Sequence, residues 1–182
     1  MPTELLIVLK AAEAAANWHS GQRRKGVAGE PYVNHLIEVA SLVAEATNGE
    51  DPHLTAAALL HDAVEDQNIP LSQIASMFGE DVAALVGEVT DDKSLPRHER
   101  KRLQVEHAPH KSPRAKLLKL ADKTSNVRAL SLSPPDWTLE RRREYVRWAC
   151  EVVAGLGQAS PYLQEQFEAA VRQAERDLEG AD

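Results

Sequence analysis

The sequence predicts an all-α fold, a compact assembly of many helices, and three observations carry that prediction. Ala, Leu, Glu, Arg and Gln are abundant, and these side chains lose little freedom on entering a helix. Only 4% of the residues are aromatic and few stretches alternate with period two, so strands have little support. Apolar residues instead recur at helical spacing between Gly- and Pro-bearing breaks.

The elements follow in order. Residues 3–19 read as a first helix, with Leu5, Leu6, Leu9, Ala12, Ala16 and Trp18 or His19 toward the core. Gly21, Gly26 and Gly29 break the pattern, and Pro31 opens a second helix near its first turn. That helix carries Leu36, Ile37, Val39, Ala40 and Val43 and stops at Asn48-Gly49. Residues 52–66 form a very apolar helix ended by Asn68 and Pro70. A short helix from Pro70 or Ser72 to Phe78 is separated by Gly79 from another running to about Val89. Pro96 starts a charged helix that ends before Pro109, and residues 113–130 make a long one stopped by Pro134-Pro135. Two amphipathic helices, about 137–155 and 161–178, complete the row. Short linkers and the lack of repeats predict one domain over residues 1–182, with its core at about 10–155 and a C-terminal helix at about 161–178.

Composition excludes several classes of function. A single cysteine, Cys150, rules out an internal disulfide framework or a CxxC zinc site. No apolar run approaches the roughly 18 residues that span a bilayer, and Met1-Pro2-Thr3-Glu4 lacks the basic start of a secretory signal. A soluble protein of a reducing compartment, the cytoplasm, is therefore expected. The formal charge of −7 argues against a polymeric nucleic acid as partner. Charge is nevertheless uneven: residues 93–128 hold eleven Lys or Arg against three acids. Such a segment suits a phosphate-rich small ligand, or simply two solvated helix faces.

The chemistry concentrates in three places. In Ala56-Ala57-Ala58-Leu59-Leu60-His61-Asp62-Ala63-Val64-Glu65-Asp66 a core-like run suddenly presents His and Asp, then Glu and Asp one turn later. At helical spacing His61 shares a face with Glu65, and Asp62 with Asp66. Buried acids need compensation, and a divalent metal supplies it, since imidazole and carboxylate are both ligands. The alternative is a helix terminus with solvated acids. Leu117-Leu118-Lys119-Leu120-Ala121-Asp122 repeats the anomaly, with Asn126 one turn on; its alternative is a surface pair with Lys119 or Lys123. His35 sits in the first turn of an apolar helix, where a lone His is more often structural. Together His35, His61, Asp62 and Asp122 give the order H…HD…D, which matches the ligand pattern of HD-domain metal phosphohydrolases. Four ligands on an ion that prefers about six leave room for water and a substrate oxygen. The mixed N/O set suits Mn²⁺, with Fe²⁺ or Zn²⁺ as alternatives.

The flanking segments carry a closer resemblance. Gly21-Gln22-Arg23-Arg24-Lys25, Gly29-Glu30-Pro31-Tyr32 through His35, His61-Asp62 with Glu65-Asp66, and Lys119-Leu120-Ala121-Asp122-Lys123 through Asn126 resemble the hydrolase half of RelA/SpoT proteins. Glu88-Val89-Thr90-Asp91-Asp92-Lys93 and the stretch Glu99 to Glu106 are similar to the stand-alone small alarmone hydrolases in particular. The resemblance covers roughly residues 10–155. It implies hydrolysis of ppGpp or pppGpp at the 3′ position to GDP or GTP and pyrophosphate, with His35, His61, Asp62 and Asp122 as metal ligands. It implies Glu65 and Asp66 as the catalytic acidic pair, orienting water or accepting its proton. Arg24 and Lys25 match a basic pair beside the substrate, and Asn126 a residue near the nucleoside. Lys93, Arg97 and Lys123 are further candidates for phosphate contacts. Three features depart from the pattern: a segment 24–35 two residues longer than in bifunctional relatives, Thr124 and Ser125 in place of bulkier residues, and Leu36 where Pro is common. All three concern substrate fit. An HD phosphatase acting on another nucleotide such as NADPH, or a non-catalytic nucleotide sensor, are the competing readings; no membrane partner is expected, and the oligomeric state is open.

Other residues have plainer expectations. His19 suits a helix end as well as a site, and His98, His107 and His110 are expected in solvent. Trp137, Tyr145 and Trp148 recur near helical spacing and read as core rather than as a stacking platform. Cys150 reads as a buried, inert thiol.

Overall fold

The computed structural model describes residues 4–181. In chain order its helices are α1 (Glu4–Trp18), α2 (Val33–Ala46), α3 (Pro52–Leu60), α4 (Ala63–Gln67), α5 (Leu71–Phe78), α6 (Glu80–Val89) and α7 (Arg97–His107). A 3-10 turn (Ala108–His110) leads to α8 (Pro113–Leu132), α9 (Leu139–Leu156) and α10 (Pro161–Glu179). Among the described residues extended pairing is confined to two isolated bridges, Arg23 to Pro31 and Gly26 to Pro135, so the protein is all-α. No described helix is long and apolar enough to cross a membrane. Thr3, expected to open α1, lies outside the described residues, as do Met1, Pro2 and Asp182.

Most helix boundaries follow local chemistry. The side chains of Asp51, Ser112, Thr138 and Ser160 cap α3, α8, α9 and α10 by accepting from a backbone N–H three residues on. Such caps typically contribute about 1 kcal/mol each. Asn68 closes α4 in the left-handed region at φ 56°, a conformation Asn tolerates through local hydrogen bonding.

Two helices occupy the centre. Helix α3 packs against α1, α2 and α6, and α8 against α10, α2, α9 and α6. Residues Leu54 to Leu60 of α3 are all buried, as are Leu118 to Ser125 of α8, so neither helix has a solvent face over those turns. In α3 the enclosed residues are almost wholly apolar. In α8 they include Lys119, Asp122, Lys123, Thr124 and Ser125, and polar groups so placed must find partners inside the protein.

Three expectations need correction. Leu5, Leu6 and Leu9 are 69%, 41% and 57% exposed, and Ala16 is exposed as well. The buried stripe is Ile7, Ala11, Ala14 and Ala15, continuing to His19. Alanines on α1 meet a helix whose own centre is Ala56-Ala57-Ala58, and small side chains on both allow the close approach that leucine would prevent. Second, Pro31 is bridged to Arg23 and α2 begins only at Val33; Ile37 on α2 is 51% exposed. Third, residues 52–66 are not one helix. The chain breaks at His61-Asp62, where Asp62 takes φ −98° and ψ 0°, and restarts as α4.

Candidate metal centre and active-site cleft

That break builds the site. On a continuous helix adjacent residues point about 100° apart. At the turn between α3 and α4 both side chains converge: His61 Nε2 lies 3.1 Å from Asp62 Oδ2. From the start of α2, His35 Nε2 approaches Asp62 Oδ2 at 3.7 Å and Asp122 Oδ1, from mid-α8, at 3.4 Å. Asp122 Oδ1 is also 3.7 Å from His61 Nε2. Donor atoms of His35, His61 and Asp62 all lie within 4.8 Å of one another, with Asp122 beside them.

The donor set fits a cation. His61 Nδ1 contacts the Ala58 carbonyl at 2.7 Å. A carbonyl only accepts, so Nδ1 carries the ring proton and Nε2 turns inward. There it is buried with no hydrogen-bond partner, beside carboxylates that themselves only accept. Burial disfavours charge on His61, yet Asp62 and then Asp122 push its pKa up to about 10. Burial instead lowers His35. Burial also disfavours the Asp62 and Asp122 carboxylates, but His61 beside the first and Lys123 beside the second hold both below the usual range. The cluster draws positive charge, and two imidazoles with carboxylates suggest a divalent metal.

Neighbouring groups hold the acids in place. Tyr32 Oη donates to Asp62 Oδ2 at 2.7 Å. Lys123 Nζ donates to Asp122 Oδ2 at 3.1 Å and Asn126 Nδ2 to Asp122 Oδ1 at 2.6 Å. Asn126 Oδ1 in turn accepts from Arg24 at 3.1 Å, and Arg24 lies over the Tyr32 ring. Lys123 also stands 4.6 Å from the Trp148 ring centroid, with Lys101 at 4.7 Å from the same ring. Such contacts favour the charged ammonium.

Glu65 and Asp66 differ. Asp66 accepts from Gln22 on Oδ2 and from Lys93 on Oδ1, each at 2.7 Å, so both oxygens are held. Glu65 accepts from Arg100 at 3.1 Å on Oε1. Burial, then the charges of Asp62, Asp91 and Asp66, raise the Glu65 pKa, which makes it the better proton acceptor.

These groups floor a two-lobed cleft. One lobe, about 320 Å³, is lined by Asp62, Glu65, Arg100, Lys119 and Lys123 among others. The second, about 430 Å³, is lined by Arg24, Leu130, Leu132, Pro135 and Trp137 among others. Lys25, Tyr32, Asp66, Arg97, Asn126 and Tyr145 border both. The loop bearing Arg24 and Lys25 is fastened to the end of α8. Val27 N–H donates to the Pro134 carbonyl at 3.1 Å and Ala28 N–H to Ser133 Oγ at 3.2 Å. Gly26 is required there, since a Cβ would fall 2.1 Å from the Ser133 carbonyl oxygen.

Residues 11–160 match the HD domain family. A guanosine-3′,5′-bis(diphosphate) 3′-pyrophosphohydrolase MESH1 of Homo sapiens is 47% identical over 174 residues, covering 95% of this chain and 97% of that protein. The protein of that name from Drosophila melanogaster is 45% identical over 166 residues, covering 91% and 93%. A solved structure described as a metazoan ortholog of SpoT that hydrolyzes ppGpp superposes with a TM-score of 0.89, at 42% identity and 98% coverage of both chains.

The chain belongs to the HD domain family.

Within this HD domain the H…HD…D residues, far apart in sequence, meet as one cluster. Glu65 and Asp66 lie one turn on, and Arg24 and Asn126 are bonded to each other. Lys25 and Arg97 line the cleft. Lys93 and Lys123 are engaged by Asp66 and Asp122, so neither is a free phosphate contact in this arrangement. The alternative offered for Asp122, a pair with a lysine, exists with Lys123, but in the interior rather than at the surface. His98, His107 and His110 are exposed, as expected. His19 is buried and stacks on Tyr32. Tyr145 and Trp148 are only partly buried and line the cleft, a correction to their reading as core alone. Cys150 is half-buried rather than buried. Sequence reasoning missed Tyr32, Gln22 and Arg100 as partners of the acids. All three stood inside recognised segments, but nothing in the spacing assigned their bonds.

Proposed function

We propose that this protein hydrolyses ppGpp and pppGpp at the 3′ position, releasing pyrophosphate and leaving GDP or GTP. The observation that carries the reading is a cage of imidazoles and carboxylates at the floor of a cleft rimmed by Arg24, Lys25, Arg97 and Arg100. Near-full-length likeness to proteins named for that reaction supports it. A divalent cation on His35, His61, Asp62 and Asp122, for which we assign Mn²⁺ with Fe²⁺ or Zn²⁺ as alternatives, would acidify a water and neutralise a phosphate oxygen.

The protein's own groups do the rest. Glu65 takes the proton from the water that attacks the phosphorus bonded to O3′, and the P–O3′ bond breaks as the ribose oxygen leaves and gains a proton. Asp66, held on both oxygens, orients that water. Lys25 and Arg97 supply counter-charge to the phosphates; Arg24 and Asn126, already joined, hold the nucleoside in the second lobe. Lys123 keeps Asp122 in position, and Lys93 does the same for Asp66. We place the protein in the cytoplasm as one domain over residues 1–182.

Separate incubations with ppGpp and NADPH in the presence of Mn²⁺ test the reading. Pyrophosphate release from ppGpp is expected. Orthophosphate from NADPH alone would move the assignment to an HD phosphatase, and tight ppGpp binding without turnover would make the protein a sensor.

A further inference from the structure

The two imidazoles of the cage are oriented by different means. His61 is held by a backbone carbonyl, which no side-chain substitution removes. His35 Nδ1 instead meets Ser125 Oγ at 2.8 Å, and both residues are buried, at 3% and 0% exposure. Ser125 Oγ donates to Glu38 Oε2 at 2.6 Å. Glu38 Oε1 accepts from Arg128 at 3.1 Å, and Arg128 reaches Gln166 on α10. Three helices, α2, α8 and α10, therefore contribute to one chain of bonds that ends on His35.

The direction of each bond follows from its groups. Glu38, a carboxylate facing a guanidinium, only accepts. The single Ser125 hydroxyl proton therefore points to Glu38. The Ser125 oxygen can then only accept from His35, so the ring proton sits on Nδ1. That leaves the Nε2 lone pair toward Asp62 and Asp122, where it could bind a cation. Metal-binding histidines commonly give their second N–H to a carboxylate, which fixes the ring and raises its basicity. Here a hydroxyl is interposed between the two.

We propose that Ser125 and Glu38 are positioning residues for His35, a relay that sets its tautomer and strengthens its hold on the cation. The proposal rests on His35 being a ligand, and the two can be tested apart. In the protein freed of metal, ¹⁵N NMR of the imidazoles should show His35 protonated on Nδ1. Ser125→Ala and Glu38→Ala should lose that preference, whereas Glu38→Gln, whose amide oxygen still accepts from Ser125, should keep it. Mn²⁺ affinity, measured by calorimetry, should fall roughly 10- to 100-fold in the two alanine variants and recover in Glu38→Gln. Glu38 is partly exposed, so its variants remain informative if Ser125→Ala unfolds. An unchanged tautomer and unchanged affinity in both alanine variants overturns the relay. Wild-type protein that binds no divalent metal overturns the ligand reading instead.

Discussion

Helix α3 breaks where it reaches the cage, whereas α8 runs through the cage without interruption. Both helices are enclosed on all sides over their central turns, and both lead to a carboxylate within the same few ångströms. The break places adjacent residues, His61 and Asp62, on one target, with Glu65 and Asp66 one turn further on a separate short helix. The unbroken helix delivers one ligand candidate, Asp122, and surrounds it with its own neighbours, Lys123 at i+1 and Asn126 at i+4. A break multiplies the groups at the centre; a continuous helix buttresses a single one. The acids of α4 can thus serve chemistry while the single acid of α8 can serve binding.

Substitutions can break that division, beginning with the largest effect. His61→Ala should abolish metal retention, since it removes one of the converging pair, and Asp122→Asn should weaken it by loss of an anionic ligand. Elemental analysis after dialysis measures both, and an unchanged metal content for Asp122→Asn would exclude that carboxylate as a ligand. Glu65→Ala should retain metal yet lower kcat by about 10²- to 10⁴-fold, the usual span for general-base catalysis. Near-normal turnover would show that the α4 acid is not the proton acceptor. Gly26→Ala should dislodge the loop from Ser133 and raise KM for ppGpp several-fold, with kcat and metal content little changed in steady-state assays.

The smallest effect belongs to the start of α8, where Arg114 joins Asp51 through two bonds and Asp81 through one. Arg114→Ala should cost about 1–2 kcal/mol by urea denaturation, given the partial exposure of the three side chains, and leave metal binding intact. Its bond to Arg114 holds the Asp81 pKa below the ordinary carboxylate value. That contribution is complete above about pH 4, the unfolded carboxylate range, and fades as pH falls toward the lower folded value. The stability gap between wild type and variant should narrow in acid.

The same contrast explains what the sequence makes legible. Helix ends are local matters, written in Asp51, Ser112, Ser160 and the prolines after them, and they can be read directly. The donor residues stand out because His61, Asp62 and Asp122 interrupt apolar runs. The break at His61 is not legible, because Ala56 to Ala63 holds no Gly or Pro, and the modestly lower helix preference of His61 and Asp62 does not by itself end a helix. The cationic segment 93–128 misleads for a related reason. Charge counts do not name partners, and Lys93, Arg100, Arg114 and Arg128 are engaged by Asp66, Glu65, Asp51 with Asp81, and Glu38, all outside the segment. Arg97, Lys101 and Lys119 line the cleft and have no carboxylate in contact among the described ion pairs. Leucine on α1 was a poor guide because packing there rewards small size, not hydrophobicity.

The fastening of the 23–31 loop to Ser133 and Pro134 makes α8 a ruler. About eleven residues separate Asp122 from the anchor, roughly 16 Å at 1.5 Å per residue, and a helix does not stretch. Inserting or deleting one residue between them would slide the anchor by about 1.5 Å and swing it by about 100°, parting the basic loop from the cage. The stretch from Lys123 to Leu132 is therefore held in the number of its residues as firmly as in the identity of those that are bonded or buried.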